Sequence, residues 1–505
     1  MPIAESSRKL CFLAALASLL IAVGCGGGGV VIAHSTGNYT NASFKGSYVF
    51  EIHGFLSTSN SPPYREVGVL TSDGNGNITA GMDSISTVGI GAPAQSTSIS
   101  GTYSIGSDGT GQVLLNSSAL GTLLGSPNGG ITLAVTLASS STAELLEADF
   151  FADGSGVANL QDPSAVATTP SGTFVYRLHE DSNAQSASES EVGLFAVSGS
   201  SVSGSFDENL ISSANALTIN SGNITAPSNL GVGTITFTDS ANVTTTLIYH
   251  VVDSSRFVFL VSSSGQVGSG SAEAQSGAVS SGLSGTYAFG SRGDDLTSVG
   301  AVATVGEFTA SGATMSSGAL DSMQDGNYAG PTNFTGTAVG SPSAQGRVAV
   351  ALSAGPTMVF WLVSPSRAFF LFENESAAED GTVDLQTGSS FSAGTIKGQY
   401  ALVMDGVDFV NSQGLARIGT LQFDGSGKIT LVELVNASGT QSGAQNPGTL
   451  AGNYQVGASG RITSQITGTN GSGPDMAMYA VSNSQAYALQ IDGGENTSGI
   501  IQLQQ

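Results

Sequence analysis

The stretch Gly46-Ser47-Tyr48-Val49-Phe50 decides the fold, because its Gly-x-aromatic pattern recurs three more times along the chain. The later copies begin at Gly172, Gly285 and Gly398, at nearly regular intervals. Two further markers follow each copy in register. They are a Val-Gly or Ile-Gly pair, at Val67, Val192, Val305 and Ile418, and a closing glutamine, at Gln161, Gln275, Gln386 and Gln504. Markers that stay in register indicate a tandem array of one repeated unit.

We predict four β domains from this array. They span residues 44–161, 171–275, 284–386 and 396–505, and short linkers rich in small residues separate them. Each unit has about 100 residues, which is long enough to close a hydrophobic core of its own.

Side chains in the first copy alternate with the period of two that a β-strand requires. Tyr48 and Phe50 share one face, and Glu51 and His53 share the other. Turn sequences such as Asp73-Gly74-Asn75-Gly76 punctuate the apolar runs, as tight hairpins require. Counting the runs between turns gives about eight strands per unit, with no amphipathic helix after the N-terminal segment. The sequence therefore predicts an all-β protein of four tandem antiparallel domains.

Consecutive hairpins close either as an up-and-down barrel or as a two-sheet sandwich. The glycine of the second marker favours the barrel, since Gly68 shares the face of Leu70 and Gly193 that of Phe195. Interior strand glycines occur at bulges and close backbone approaches, both common at barrel corners. We expect a barrel, with the sandwich as the alternative.

Residues 1–24 have the features of a signal segment. Arg8 and Lys9 precede an apolar stretch, 10–23, that is too short for a permanent membrane-spanning helix. Small residues then precede Cys25, an arrangement that resembles the bacterial lipobox, in which the cysteine thiol carries a diacylglycerol. We predict that Cys25 is lipidated; the alternative is an ordinary secretory signal with an incidental cysteine.

Residues 25–43 are rich in glycine and polar residues, which predicts a flexible tether between the lipid and the first domain. Gly26 stands where an aspartate typically retains lipoproteins at the inner membrane of diderm bacteria. We therefore expect an exported protein anchored to the outer membrane, on its periplasmic or its surface side. The other cysteine, Cys11, lies in the segment to be removed, so the mature chain can form no internal disulfide.

The lipobox, the tether and the Gly-Thr-Tyr-x-Phe and Asp-Gly-x-Gly-x-Ile-Thr repeats together resemble a group of predicted bacterial surface lipoproteins. That group has no known activity. The resemblance implies an envelope address and a β architecture, and it implies no site residues.

The charge excludes one class of partner. The chain carries 37 acidic and 13 basic residues, a net charge of −24. Such a chain repels phosphate backbones, so we predict no nucleic-acid partner. It also disfavours docking on anionic lipid through basic patches, which leaves the lipid at Cys25 as the predicted contact with the membrane.

We find no constellation for catalysis and no cofactor motif, and we predict a non-enzymatic protein without a cofactor. His53 and His179 lie on the strand face opposite the aromatic residues, so we interpret them as surface imidazoles. One acid recurs in every unit, and we expect it to bind turn amides or to face solvent. These acids are Asp83, Asp207, Asp321 and Glu433. The aromatic stripe around Trp361 we interpret as core.

The nearest match to a metal motif is Asp73, Asn75 and Asn77, which place oxygens at alternate positions, as a calcium loop does at its start. Ile78 stands where that loop needs a glycine, and Ser84 stands where it needs a glutamate. We therefore interpret the segment as a hairpin turn and predict no metal site.

Three classes of function remain. The first is a lipid-anchored cell-envelope protein that acts as a non-enzymatic binding, adhesive or spacer module, with a surface polymer or glycan as its partner. The second is a carrier in which each barrel holds a small apolar or glycan ligand, and the third is an exported hydrolase with dispersed catalytic residues. A lined cavity in each barrel would favour the carrier, and a packed aromatic core would favour the binding or spacer module.

Overall fold

A computed structural model describes most of the chain beyond residue 36. The described residues are 37–57, 62–87, 95–117, 130–182, 188–211, 213–263, 266–295, 301–374, 376–388, 390–437, 443–468 and 471–505. Cys25, the signal segment and most of the predicted tether lie outside them. Within them the chain forms strands and two short 3-10 helices, Asn41–Ser43 and Val279–Ser281. No described helix has the length and apolar character that a bilayer crossing demands.

Barrel 1 contains nine antiparallel strands. They are β1 (Lys45–Leu56), β2 (Pro63–Asp73), β3 (Asn77–Thr87), β4 (Gln95–Ser98), β5 (Ser100–Ile105), β6 (Thr110–Asn116), β7 (Gly130–Leu137), β8 (Thr142–Glu147) and β9 (Ala152–Leu160). Strands β4 and β5 pair with different segments of the same strand, β3, so the barrel has eight strand positions. The β1–β9 and β2–β3 pairings close the sheet.

Barrels 2 and 3 are closed eight-stranded sheets in which each strand pairs with the next. Barrel 2 is β10 (Gly172–Ser182), β11 (Glu189–Ser198), β12 (Ser201–Leu210), β13 (Ser213–Ile224), β14 (Val232–Asp239), β15 (Thr244–Asp253), β16 (Arg256–Val261) and β17 (Gln266–Ala274). Barrel 3 is β18 (Leu283–Asp295), β19 (Val302–Gly312), β20 (Thr314–Gln324), β21 (Asn327–Ala338), β22 (Arg347–Leu352), β23 (Thr357–Ser364), β24 (Arg367–Glu373) and β25 (Ala377–Leu385).

Barrel 4 resembles barrel 1, because it has eight strand positions and one short extra strand. Its strands are β26 (Lys397–Asp408), β27 (Gln413–Asp424), β28 (Lys428–Ala437), β29 (Thr449–Val456), β30 (Arg461–Gly468), β31 (Gly471–Ser472), β32 (Met476–Ala480), β33 (Gln485–Gln490) and β34 (Glu495–Leu503). The β29–β30 and β26–β34 pairings close it. The predicted all-β architecture of four tandem barrels is confirmed, and the sandwich alternative is wrong.

The interior of each barrel is packed with side chains. Tyr176 and Phe195 stack in barrel 2 with ring centroids 4.0 Å apart. The recurring glycine of the second strand lies on this inner face: a Cβ at Gly68 would clash with the ring of Phe50, and one at Gly306 with that of Phe289. Glycine at this point therefore lets an aromatic ring lie flat against the barrel wall.

The four barrels form a closed cyclic arrangement, in which each packs against the next and barrel 4 packs against barrel 1. Buried apolar clusters fill all four interfaces. They contain Val67 and Val252 between barrels 1 and 2, Val192 and Val359 between 2 and 3, Val305 and Tyr479 between 3 and 4, and Ile418 and Leu146 between 4 and 1. The Val-Gly marker thus has two roles. Its glycine faces the core of its own barrel, and its aliphatic residue contacts the neighbouring barrel.

The side chain of the closing glutamine forms a hydrogen bond with the following barrel. The Gln161 side chain donates to the backbone oxygen of Val251 at 2.6 Å. Gln275 donates to Leu362 at 2.8 Å, and Gln386 to Ala480 at 2.8 Å. Because each of these hydrogen bonds crosses from one barrel to the next, the glutamines join the barrels as well as mark the repeat.

Candidate functional site

Four equivalent positions meet where the barrels converge. Each lies five residues after the aromatic residue of the Gly-x-aromatic pattern. The four residues are His53, His179, Arg292 and Asp405. In each first strand this position lies on the outer face, opposite the aromatic core residues. In an isolated barrel these side chains would face water, but in the ring they face one another. We call this group and its direct polar partners the central junction.

Asp405 connects three of the barrels within the central junction. Its carboxylate accepts from Arg292 Nη1 at 2.7 and 2.8 Å. His53 Nδ1 lies 2.9 Å from the Asp405 carboxylate, and Ser155 of barrel 1 donates to it at 3.3 Å. Burial alone would raise the pKa of Asp405, but Arg292 and His53 outweigh burial and hold the pKa below its usual range.

His179 connects barrel 2 to barrel 3. Its Nε2 lies 2.8 Å from Asp294, and its Nδ1 lies 3.1 Å from Asp380. Burial would lower the pKa of this imidazole, but the hydrogen bonds to the two carboxylates raise it to about 10. His179 is therefore protonated at neutral pH. In contrast, burial and the nearby Arg292 lower the pKa of His53.

The junction balances its own charge. Asp181 pairs with Arg65 of barrel 1 at 2.6 Å, and Asp380 also pairs with Arg177 at 3.1 Å. Three arginines and protonated His179 therefore face four aspartates: Asp181, Asp294, Asp380 and Asp405. A buried network with every charge paired avoids the cost that an isolated buried ion would impose.

A cavity of about 60 Å³ lies at the junction, lined by His53, Arg65, His179, Asp294, Arg292 and Asp405 among others. This space suits a few water molecules between polar groups. One nitrogen of His179 and one oxygen each of Asp181 and Asp294 lie within 4.8 Å of one another, close enough to share a metal ion. However, Arg65 already contacts Asp181, so the geometry is that of an ion-pair network.

The interpretation of His53 and His179 as surface imidazoles is wrong. Their side chains are only 13% and 15% exposed. The strand period was right, because both face away from their own cores. A neighbouring barrel covers that outer face, and periodicity within one unit cannot distinguish a neighbouring barrel from solvent.

The sequence predicted that the recurring acids bind turn amides or face solvent, and this prediction is wrong. The four acids fall into two structural classes. Asp207 and Asp321 point outward into the next barrel. Asp207 accepts from Arg347 at 2.7 Å and from Trp361 Nε1 at 2.7 Å. Asp321 accepts from Arg461 at 2.7 Å and from Tyr479 at 2.7 Å. The predicted burial of Trp361 therefore occurs between barrels.

The other two recurring acids point into their own barrels. Asp83 pairs in register with inward-facing Gly68, and burial raises its pKa to about 7. Glu433 pairs in register with Gly419 and contacts Arg417 at 3.2 Å. A shift of one residue in strand register moves a side chain from the inner to the outer face of the barrel. The hairpins differ in turn length and bulges, so acids that align in sequence separate in space.

The Asp73 loop is a capped turn. Asp73 Oδ1 accepts from the backbone N–H groups of Asn75 at 2.7 Å and Asn77 at 3.1 Å, and Oδ2 accepts from Asn77 Nδ2 at 2.7 Å. These hydrogen bonds, led by that from the Asn77 side chain, lower the Asp73 pKa to about 2. Both carboxylate oxygens are thus engaged by the turn itself, and this geometry agrees with a hairpin.

Sequence reasoning missed a glutamate cluster inside barrel 2. Glu189, Glu191 and Glu208 each place an oxygen within 4.8 Å of the others, and Glu180 lies on the same inner face. Burial and the neighbouring acids raise the pKa of Glu189 to about 10. The alternation of Glu189 and Glu191 on one strand face was the available signal.

No family model and no curated protein matches the chain. Solved structures that match along most of their length include two forms of transferrin binding protein B. A double mutant of the vaccine antigen from Haemophilus parasuis is 9% identical, with 95% of this chain and 98% of that chain covered and a TM-score of 0.18. The intact Ap-TbpB, with N and C lobes, is 10% identical, with 94% and 98% covered and a TM-score of 0.19. CghA is 9% identical, with 95% of each chain covered and a TM-score of 0.16. Likeness at this level carries no argument about arrangement or function.

Proposed function

We propose that this protein is a lipid-anchored, non-enzymatic module of a bacterial cell envelope, which binds a surface glycan or spaces the envelope as one rigid body. The observation that carries the proposal is the closed ring of four barrels with packed interiors. Apolar clusters, buried ion pairs and glutamine hydrogen bonds join each barrel to the next. Such a ring moves as a unit and presents a fixed outer surface.

The packed interiors argue against the carrier. In barrel 3, Phe360 and Phe370 lie with ring centroids 5.7 Å apart, and Phe289 meets Phe370 edge to face at 5.7 Å. Aromatic contacts at these distances fill the space that an apolar ligand would need. The interiors therefore serve stability, and recognition falls to the outer surface.

The outer surface is built mainly from uncharged polar strands. The fourth strand position of every barrel is largely exposed and carries no charged residue; these strands are β5, β13, β21 and β29. Threonine pairs extend this surface on barrel 2, where Thr236 and Thr246 lie 3.2 Å apart and Thr238 and Thr244 lie 2.9 Å apart. Many acids of this acidic chain lie in the interior, so the periphery offers hydroxyl and amide groups suited to a neutral glycan.

The binding role is tested by co-sedimentation of the purified mature chain with peptidoglycan sacculi at physiological salt. We expect retention that weakens several-fold when charges enter the exposed strands, as in Thr218→Glu combined with Thr332→Glu. Ser200→Glu, in an exposed turn outside these strands, is the control. Unchanged retention in the double variant would contradict binding through this surface. Saturable uptake of an apolar dye by each barrel would favour the carrier.

The anchor is tested separately. We expect Cys25→Ser to release the protein from the membrane fraction and to abolish labelling by a radioactive fatty acid. Acyl labelling that persists in the variant would rule out Cys25 as the lipid attachment site. Because the substitution lies outside the four barrels, glycan retention by the released protein should be unchanged.

A further inference from the structure

We propose that the glutamate cluster inside barrel 2 binds a hard divalent cation, Ca²⁺, through Glu189, Glu191 and Glu208, with Glu180 completing the site. All four side chains lie on the inner face of neighbouring strands β10, β11 and β12. Glu191 is directly opposite Glu208 in register, and Glu180 is directly opposite Glu189. The site is distinct from the central junction, which lies on the outer faces of the barrels.

The spacing of the cluster fits calcium. Carboxylate oxygens bind Ca²⁺ at about 2.3–2.6 Å, so oxygens on opposite sides of one ion lie about 5 Å apart at most. One oxygen from each of Glu189, Glu191 and Glu208 lies within 4.8 Å of the other two. A single ion can therefore contact all three carboxylates without displacement of the strands.

Glu180 gives independent evidence for a missing cation. Its side chain is 3% exposed, and Oε2 has no hydrogen-bond partner among the described residues. A buried, unpartnered carboxylate oxygen is costly. Because Glu180 pairs in register with Glu189, this oxygen shares the enclosed space of the other three carboxylates.

Barrel 4 shows how the same position is neutralised when the chain supplies its own cation. Arg417 stands two residues before the recurring glycine, as Glu191 does in barrel 2. Arg417 contacts Glu433 at 3.2 Å and Glu495 at 2.7 Å inside barrel 4. In the described part of the chain no ion pair joins any of the four barrel 2 glutamates to a basic side chain. Barrel 2 therefore takes its cation from solution.

Partial hydrogen bonding orients the ligands and leaves room for the ion. Tyr176 Oη donates to one oxygen of Glu191 at 2.9 Å. Asn215 Nδ2 donates to Oε1 of Glu208 at 2.9 Å. Glu189 and Glu208 are only half-buried, so solvent reaches the side chains of these two ligands.

The test is calorimetric titration of CaCl₂ into the full mature chain after removal of bound metal with a chelator. We expect saturable binding, weakened at least tenfold by Glu191→Gln or Glu208→Gln. Glu379→Gln is the matched control, because Glu379 is a buried glutamate inside barrel 3 whose carboxylate accepts from Ser291 at 2.7 Å. That variant should titrate as the wild type does.

A second measurement, thermal unfolding, distinguishes a loss of Ca²⁺ binding from misfolding of the variant. Without Ca²⁺, the glutamine variants should be at least as thermostable as the wild type, because they remove repulsion between carboxylates. At one Ca²⁺ concentration near the wild-type dissociation constant, Ca²⁺ should raise the melting temperature of the wild type and of Glu379→Gln clearly more than that of Glu191→Gln. Absence of saturable binding in the wild type would overturn the proposal. So would equal Ca²⁺ affinity in the wild type and both cluster variants.

Discussion

Gln504, the penultimate residue, donates its side-chain N–H to the backbone oxygen of Leu137 at 2.7 Å, across 367 positions of the chain. The same hydrogen bond joins Gln161 to Val251, 90 positions apart, at the boundary between barrels 1 and 2. The last unit is therefore joined to the first unit by the same kind of contact that joins each unit to its successor. This contact closes the array into a ring.

Replacing Gln504 with alanine should open the seam between barrels 4 and 1. The buried carbonyl of Leu137 loses its side-chain donor, which costs about 1–2 kcal/mol. We expect a lower midpoint of chemical unfolding and faster hydrogen exchange at Leu137 and Ala138. Gln422→Ala removes an exposed glutamine whose side chain donates to Phe423 of its own barrel, so it should change neither quantity. Equal exchange rates in both variants would argue against a closing role for Gln504.

Replacing Asp207 with asparagine should disturb the boundary between barrels 2 and 3 and report it optically. The single tryptophan of the chain, Trp361, donates to Asp207, and so does Arg347. We expect a loss of about 1–3 kcal/mol of stability, since a buried charge contact is lost. We also expect a changed tryptophan emission spectrum in the native state.

The matched control for this experiment is Asp321→Asn, at the boundary between barrels 3 and 4. Asp321 makes the equivalent contacts with Arg461 and Tyr479. It should lose comparable stability and leave the native tryptophan emission unchanged. A spectral change in the Asp321 variant would mean that the fluorescence reports on the whole ring and not on one boundary.

His179 should make stability depend on alkaline pH. Its pKa is about 10 in the folded protein, against an ordinary value of 6.5. A raised folded-state pKa adds stability that is fully present below pH 6.5 and is lost as the pH rises through 10. His179→Gln should therefore flatten the alkaline limb of unfolding free energy against pH. His53→Gln, at the equivalent position of barrel 1, should leave that limb unchanged, because the His53 pKa is lowered.

Glu144 should oppose stability at neutral pH. This carboxyl is fully buried on the outer face of β8, and burial raises its pKa to about 8 from 4.5. The contribution of Glu144 to stability is therefore most favourable below pH 4.5 and falls as the pH rises toward 8, because the folded state resists ionisation of this carboxyl. We expect Glu144→Gln to be more stable than the wild type by roughly 2–5 kcal/mol at pH 8 and nearly equal to it at pH 4. A constant difference across that range in urea unfolding would contradict this assignment.

The fold within each unit could be predicted from the sequence, because strand period, hairpin turns and an inward glycine are all local signals. Tyr48 and Phe50 lie inside barrel 1, as their alternation predicted. The ring was not predicted, because a tandem array can form a string or a ring. A signal existed in the aliphatic residues beside each glycine, such as Val67 and Val192. They made the outer face of the second strands apolar too.

The contacts between units could not be predicted from the sequence, because they form only when the four barrels pack into a ring. Arg292 and Asp405 belong to different units and contact each other only because barrels 3 and 4 pack together. The recurring acids were found by spacing, but spacing could not fix their direction. Asp207 faces the next barrel and Asp83 its own core, because turn length and bulges set the register of each hairpin separately.

The central junction also shows what covalent continuity permits. In a ring of four identical subunits, symmetry would place the same side chain four times around the axis. Four protonated imidazoles, four guanidinium groups or four carboxylates there would repel one another. One continuous chain breaks that symmetry, so His53, Arg292 and Asp405 can differ and contact one another. His179, at the fourth position, pairs instead with Asp294 and Asp380. The same freedom lets barrel 4 carry an internal arginine where barrel 2 carries a glutamate. A single polypeptide thereby gains the chemical variety of a hetero-oligomer while keeping the shape of a homo-oligomer.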